Sequence, residues 1–442
     1  MPSHLTIMPN KTNLPISSAT PPVPRTTDLS APADPSLVDS RTAAWRLLTA
    51  LGLAMLGNSG MYVLAVALPE IERAFGVSRA DASLPYTLTM IGFGLGGLLC
   101  GRWADRYGVA RVLALGSFGV ASGYVLASFA SNIVFFALAH GLLLGMIGIA
   151  SAFVPLIADT ALWWNKRRGL AVGVCASGNY LAGTVWPPIA QWSIEQFGWR
   201  PTYLMLGVVC GVGMALLSVR MRQRPPLMTP AAPTADTGFT HSLERPFGLS
   251  IGTAQSLLFV AGIGCCVAMA MPQVHIVAYC TDLGFNAARG AEMLSLMLGF
   301  GIVSRMASGW ISDHIGGLRT LLLGSALQFF ALLMFLFFDG LASLYIISAM
   351  FGLFQGGIVP SYAIIVREHF PPQHAGALVG KVILGTLIGM ALGGWLSGKL
   401  FDLTGSYHVA FINGIGWNLL NMSIAAWLFF RSRKVGASPP AR

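Results

Sequence analysis

Long apolar runs follow one another along most of this chain, with short polar stretches between them. As helices, runs of about 20 residues cross a hydrocarbon layer roughly 30 Å thick. Twelve runs can be placed. The first six cover 44–68, 81–100, 110–129, 132–156, 169–193 and 201–219. The second six cover 251–279, 290–311, 320–338, 342–366, 377–398 and 408–430. The pattern predicts an all-α membrane protein of twelve transmembrane helices, in two pseudo-symmetric six-helix bundles over 43–219 and 251–430. Residues 1–42 are rich in Pro, Ser and Thr, hold no apolar core long enough for a signal peptide, and read as a disordered cytoplasmic tail. Residues 220–250, with Arg220, Arg222, Arg224, Arg245 and several prolines, read as a flexible linker, and 431–442 as a second tail.

Composition agrees with the pattern. Of 442 residues, 55% are hydrophobic and 10% charged, whereas a soluble domain carries about 25% charged residues. The net charge of +10 invites a nucleic-acid reading, but the cations gather in the short loops between runs, where membrane topology needs them. With the N-terminus inside, 20 of the 27 Lys and Arg residues fall on the cytoplasmic side. Arg73, Arg79, Arg200, Arg289 and Lys399 fall on the other. Both termini are therefore expected in the cytoplasm, with a multi-pass chain in the plasma (inner) membrane. Two cations, Arg305 and Lys381, fall within runs. The six cysteines show no metal spacing and read as small apolar filler.

One motif appears twice. Gly101, Asp105, Gly108 and Arg111 spell G-x-x-x-D-x-x-G-x-x-R, and Gly309, Asp313, Gly316 and Arg319 repeat it 208 residues later. The Gly169–Gly173 and Glu195–Gly198 pairs recur as Gly376–Gly380 and Asp402–Gly405 at an offset of 207. Parallel halves of this kind are a transporter architecture. The loop segment G-R-W-A-D-R-Y-G-V-A-R, which includes Arg106, resembles the signature of the major facilitator superfamily between its second and third helices. The resemblance covers about 42–430. His275-x-x-x-Tyr279-x-x-Asp282 and Arg305 further resemble the bacterial monocarboxylate and oxalate–formate branch. That resemblance implies alternating access, a gating role for the repeated motif, and an Arg on helix 8 and a Lys on helix 11 that hold carboxylates. Animal monocarboxylate carriers resemble the chain less at two places. Their acid one turn before the helix 8 Arg is Gly301 here, and their helix 1 Lys has no counterpart between Arg46 and Glu70. Their proton-coupling scheme therefore does not transfer.

Gly92-x-Gly94-x-x-Gly97 lies inside an apolar run, not between a strand and a helix, so it is no dinucleotide fingerprint. Gly376 to Lys381 lacks the final Ser or Thr of a phosphate loop. No catalytic or metal cluster is visible, and neither an enzyme nor a cofactor is implied. Arg305 is the sharpest residue. A charge near the bilayer centre costs about 2.5–3.5 kcal/mol, so it faces a cavity or a partner. Its counterpart in the first half is Gly97, and that of Lys381 is Val174, so the shared scaffold demands neither cation. Lys381 either joins Arg305 at the cavity or snorkels. No Asp or Glu lies deep in a run, and cations without acids favour an anion. Arg suits a carboxylate, to which it can donate two parallel hydrogen bonds. His275 and Tyr279 share a helix face, as do Asn58 and Tyr62, Tyr180 and Thr184, and Gln355 and Tyr362. These are further cavity candidates, with hydrogen bonding inside the bundle as the alternative; His275 also suits proton coupling. Trp163 and Trp164 read as interfacial anchors.

The expectation is a monomeric secondary transporter of a small mono- or dicarboxylate, coupled to a proton or a counter-anion or to neither. A drug efflux carrier and a non-transporting carboxylate sensor are the rivals.

Overall fold

A computed structural model describes residues 37–223, 246–371 and 375–436. The expected disorder of the N-terminal tail, the flexible linker and the end of the C-terminal tail fall largely outside the described residues. The described chain is helical throughout, in twelve long helices. In the first half these are α1 (Arg41–Phe75), α2 (Arg79–Tyr107), α3 (Val109–Ser128), α4 (Ile133–Trp163), α5 (Arg168–Ala176 continued as Gly178–Phe197) and α6 (Trp199–Arg220). The second half holds α7 (Ile251–Asp282), α8 (Ala287–Ile315), α9 (Gly317–Phe337), α10 (Leu341–His369), α11 (Ala375–Thr404) and α12 (Tyr407–Gly436). Eleven, all but α5, are long and apolar enough to cross a membrane. The α5 run is diluted by Asn179, Thr184, Gln191 and two prolines.

Polar residues mark the helix ends. Ser78, Ser250 and Asn286 cap α2, α7 and α8 through their side chains. The repeated motif was expected in a loop, but its first seven residues continue α2 and α8, and the turn shrinks to one glycine. Gly108 and Gly316 sit there at φ 86° and 85°, a conformation that side chains resist. Glycine also sets how closely helices approach. A Cβ at Gly92 or Gly96 of α2 would lie 2.0 Å from a backbone oxygen of α4, and one at Gly352 of α10 would lie 1.9 Å from that of Met297 in α8.

Several helices are broken. α1 bends at Asn58, α5 at Ser177, and α10 at Gly356–Gly357; α4 carries a π-helical stretch, Ala139–Ile149, and a break near Phe153. Trp163, expected at the interface, is 1% exposed instead. It packs under Arg46, whose guanidinium lies 4.5 Å from its ring and pairs with Asp159 at 2.8 Å. This buried pair joins α1 to α4. The end at which the described chain begins and ends, at residues 37 and 436, is called the terminal face below, and the other end the distal face.

Candidate functional site

The two bundles meet along two seams. In the first, α5 lies against α8. Pro187 and Pro188 have no N–H to give, so the carbonyls of Gly183 and Thr184 lose their helical partners. Ser295 of α8 donates to the Thr184 carbonyl. Gly183 leaves room for Leu298, which a Cβ there would meet at 2.0 Å.

The seam ends at Arg305. Its Nη1 donates to the Ala176 carbonyl at 3.0 Å, just before the α5 break, and its guanidinium carbon lies 4.4 Å from the centre of the Tyr180 ring. Its Nε is buried without a partner. No carboxylate pairs with Arg305 among the described residues. Gly301, one turn before it, explains the geometry. A Cβ at Gly301 would lie 2.8 Å from the Tyr180 ring. The aromatic face occupies the place where a side chain at 301 would go, and the cation rests on that face. Beyond Arg305 the seam parts, and Gly173 and Gly309 face no neighbouring atom within 4 Å.

Beside Tyr180, a polar chain runs within the first bundle. Tyr62 donates to Asn179 Oδ1 at 2.7 Å, and Asn179 Nδ2 donates to Asn58 Oδ1 at 2.9 Å. The breaks of α1 and α5 thus meet through Asn58 and Asn179. Asn179 was not singled out from sequence; an amide inside a run, next to Tyr180, was the available signal.

The second seam joins α2 to α11. Near the distal face it is stitched tightly. Arg79 Nε pairs with Glu72 at 2.9 Å, its Nη groups reach Asp282 of α7, and Nη1 donates to the Tyr407 hydroxyl of α12 at 3.2 Å. Asp402 of α11 accepts the N–H groups of Arg79 and Ala80, both at 2.9 Å, and so caps the start of α2 from the opposite bundle. His275 belongs to this lock. Its Nε2 donates to the Gly394 carbonyl at 2.8 Å, so its Nδ1 accepts from the Tyr407 hydroxyl at 3.0 Å. Tyr279 packs edge-on against Tyr407. Both lie apart from the Arg305 group. Sequence reading missed Arg79, Asp402 and Tyr407 as partners, although Asp402 had surfaced in the repeat.

Toward the terminal face the second seam splays. Leu384 and Leu387 still pack on Gly94, but Gly376 and Gly380 face nothing within 4 Å. Lys381 is exposed on this splayed stretch. Asp105, Arg106, Arg111, Asp313 and Arg319 are also exposed, and neither aspartate has an ion-pair partner among the described residues. Tyr362 lies elsewhere. It is fully buried in the second bundle and donates to Asn421 of α12 at 2.7 Å.

This arrangement is closed at one face, parted at the other, and holds an unpaired cation where two bundles meet. The sequence profile of the Major Facilitator Superfamily matches residues 47–351 and 319–442. The chain belongs to that superfamily. Monocarboxylate transporter 13 of Rattus norvegicus is 27% identical over 366 residues, 82% of each chain. Monocarboxylate transporter 4 of Gallus gallus is 26% identical over 423 residues, 92% of this chain and 87% of its own. Among solved structures, a bacterial homologue of the human lysosomal transporter Spinster superposes with a TM-score of 0.68 at 14% identity, covering 91% of this chain and all of its own. A point mutant of the nucleoside transporter NupG superposes with a TM-score of 0.67 at 13% identity, covering 88% of this chain and all of its own. The fold is the superfamily's, and the chain is a membrane transporter rather than an enzyme.

Proposed function

We propose that this transporter carries a small organic anion, a mono- or dicarboxylate, by alternating access across the plasma membrane, with Arg305 as the principal carboxylate ligand. The observation that carries the reading is the pairing of Arg305 with a carbonyl and an aromatic ring but with no acid. Both partners are weaker than a carboxylate, so an arriving carboxylate can displace them. The names of the relatives, monocarboxylate transporters, support the same substrate class. Tyr180, Tyr62 and Asn58, with Asn179, form the wall behind the cation. Lys381 serves as an auxiliary or second-carboxylate ligand in the mouth. The exposed, unpaired motif residues act as the gate that closes in the opposite state. The basic loops make the terminal face cytoplasmic, and the site is then open to the cytoplasm. The lack of an acid beside Arg305 favours anion exchange or uniport over proton symport.

The test is uptake of labelled mono- and dicarboxylates into proteoliposomes. Arg305→Ala should abolish it, and Arg305→Lys should retain a small fraction, because an ammonium keeps the charge but not the planar fork. Transport by Arg305→Ala at the wild-type rate would sink the ligand role.

A further inference from the structure

The core of the second bundle holds polar side chains that the transport reading does not use. Gln328 of α9, Asn418 of α12, and Ser348 and Gln355 of α10 are all 0% exposed. Both amide atoms of Gln328, Asn418 Oδ1, Ser348 Oγ and Gln355 Nε2 have no hydrogen-bond partner among the described residues.

The helix registers bring these groups to one level. α9 and α12 run antiparallel, with Phe335 stacked on Phe411 at 5.0 Å and Asn421 donating to Ser325 Oγ at 2.8 Å. Asn418 Nδ2 donates to the Ser325 carbonyl at 2.9 Å, which brings Gln328, one turn after Ser325, near the level of Asn418. The same face of α9 borders α10, where Phe335 also packs on Phe351 and Gly324 on Phe354 and Ile358. Gln328 therefore meets the stretch of α10 between Ser348 and Gln355.

This level is also where α10 breaks and where the hydrogen-bond ladder of the continuous helix α7 misses a donor. Pro272 removes an N–H from α7, and α10 breaks at Gly356–Gly357. The glutamines beside these points bond each other, Gln273 Nε2 donating to Gln355 Oε1 at 3.1 Å. The first bundle provides a control. At the repeat offset of 208, Ser325 answers Ser117, but Gln328 answers Val120. The shared scaffold does not require an amide at that point.

We infer that the core of the second bundle binds a small cluster of water molecules between α9, α10 and α12, and that this water solvates the joint between α7 and α10. A buried polar group without a partner is costly, and in a bilayer no solvent reaches it from outside. The chemistry of the unpaired set selects water over a cation. Two amide oxygens and a hydroxyl would suit a monovalent cation, but the Gln328 and Gln355 amide nitrogens would remain unpaired beside it. Water accepts from the nitrogens and donates to the oxygens. Among the described residues, no carboxylate is bonded to this group to balance a cation's charge.

The test is synchrotron radiolytic labelling of the purified full chain, read by mass spectrometry, with Gln328→Met/Ser348→Ala as the variant. These changes remove only atoms that lack protein partners, and they keep side-chain volume nearly constant. Bound water makes hydroxyl radicals in place, so Phe335 and Phe351 should be modified although both are shielded from bulk solvent. The variant should lose at least four-fifths of that modification, with Tm unchanged within a few degrees. It should also slow backbone hydrogen exchange around Gln273 and Gly356 several-fold. A dry core gives the opposite result: no modification at either phenylalanine, and a marked rise in Tm when the unpaired atoms are removed. That pair of results overturns the proposal, as does equal modification in variant and wild type. Unchanged exchange beside a lost label overturns the role at the joint.

Discussion

Asp402→Asn should unlock the distal face without unfolding the protein. Asp402 accepts two backbone N–H groups at the start of α2, both at 2.9 Å and both across the bundle interface. Asparagine keeps one acceptor, loses the charge that suits a helix N-terminus, and turns an N–H of its own toward a backbone donor. A partly buried charge–dipole interaction is worth up to about 2 kcal/mol, and an N–H left unpaired costs about 1–3 kcal/mol. Water reaches the donor once the seam parts, so the closed state alone bears the cost. A shift of about 2 kcal/mol in the closed–open equilibrium is roughly thirtyfold. The reporter is Ser83→Cys, one turn into α2 at a position 0% exposed. An impermeant maleimide should label it about thirty times faster in the Asp402→Asn background. The six native cysteines are buried and provide the baseline. Less than a twofold change in labelling, with a lowered Tm, would mean that Asp402 stabilises its own bundle and does not hold the seam.

Tyr180→Ala removes the aromatic face that an arriving anion has to displace from Arg305 and should strengthen anion binding about 2–30-fold, from about 0.5–2 kcal/mol of cation–π energy no longer lost on binding, while Tyr180→Phe stays near wild type; calorimetric titration with transported anions checks both. Asp159→Ala leaves Arg46 buried and unpaired, which should cost about 3–5 kcal/mol in denaturant unfolding, and Arg46→Met/Asp159→Leu should recover most of it. Gly309→Ala meets no atom within 4 Å and should leave unfolding free energy unchanged or raise it by up to about 1 kcal/mol through helix propensity. If uptake nevertheless falls several-fold, Gly309 is needed at a contact made only in the opposite state; uptake at the wild-type rate removes the motif glycine from the gate.

The twelve helices and their pairing into halves were legible because apolar length and an exact spacing are local properties of the chain. Boundaries were less so. α2 runs seven residues past the apolar stretch, since charged residues extend a helix into the interface as readily as apolar ones fill its core. Arg305 was legible from depth alone. Its partners were not, because Tyr180 matters only through the missing side chain at Gly301, more than a hundred positions away. The distal lock joins residues from α1, α2, α7, α11 and α12, and no spacing along the chain encodes such a meeting. His275 and Tyr279 did share a face, as their spacing required, but periodicity does not say what a face meets. The same holds for Tyr362, whose face turns inward to Asn421.

The absence of an acid beside Arg305 has an electrical consequence. On the carboxylate reading, Arg305 carries one positive charge when the site is empty, and a bound monoanion neutralises it. Arg305 then adds no net charge to the loaded carrier's crossing, whereas in the empty carrier its charge feels the membrane voltage. A charge moved through the whole field gains about 2.3 kcal/mol per 100 mV. With the terminal face on the negative, cytoplasmic side, as proposed above, that voltage draws the empty site toward the face at which the two bundles stand apart.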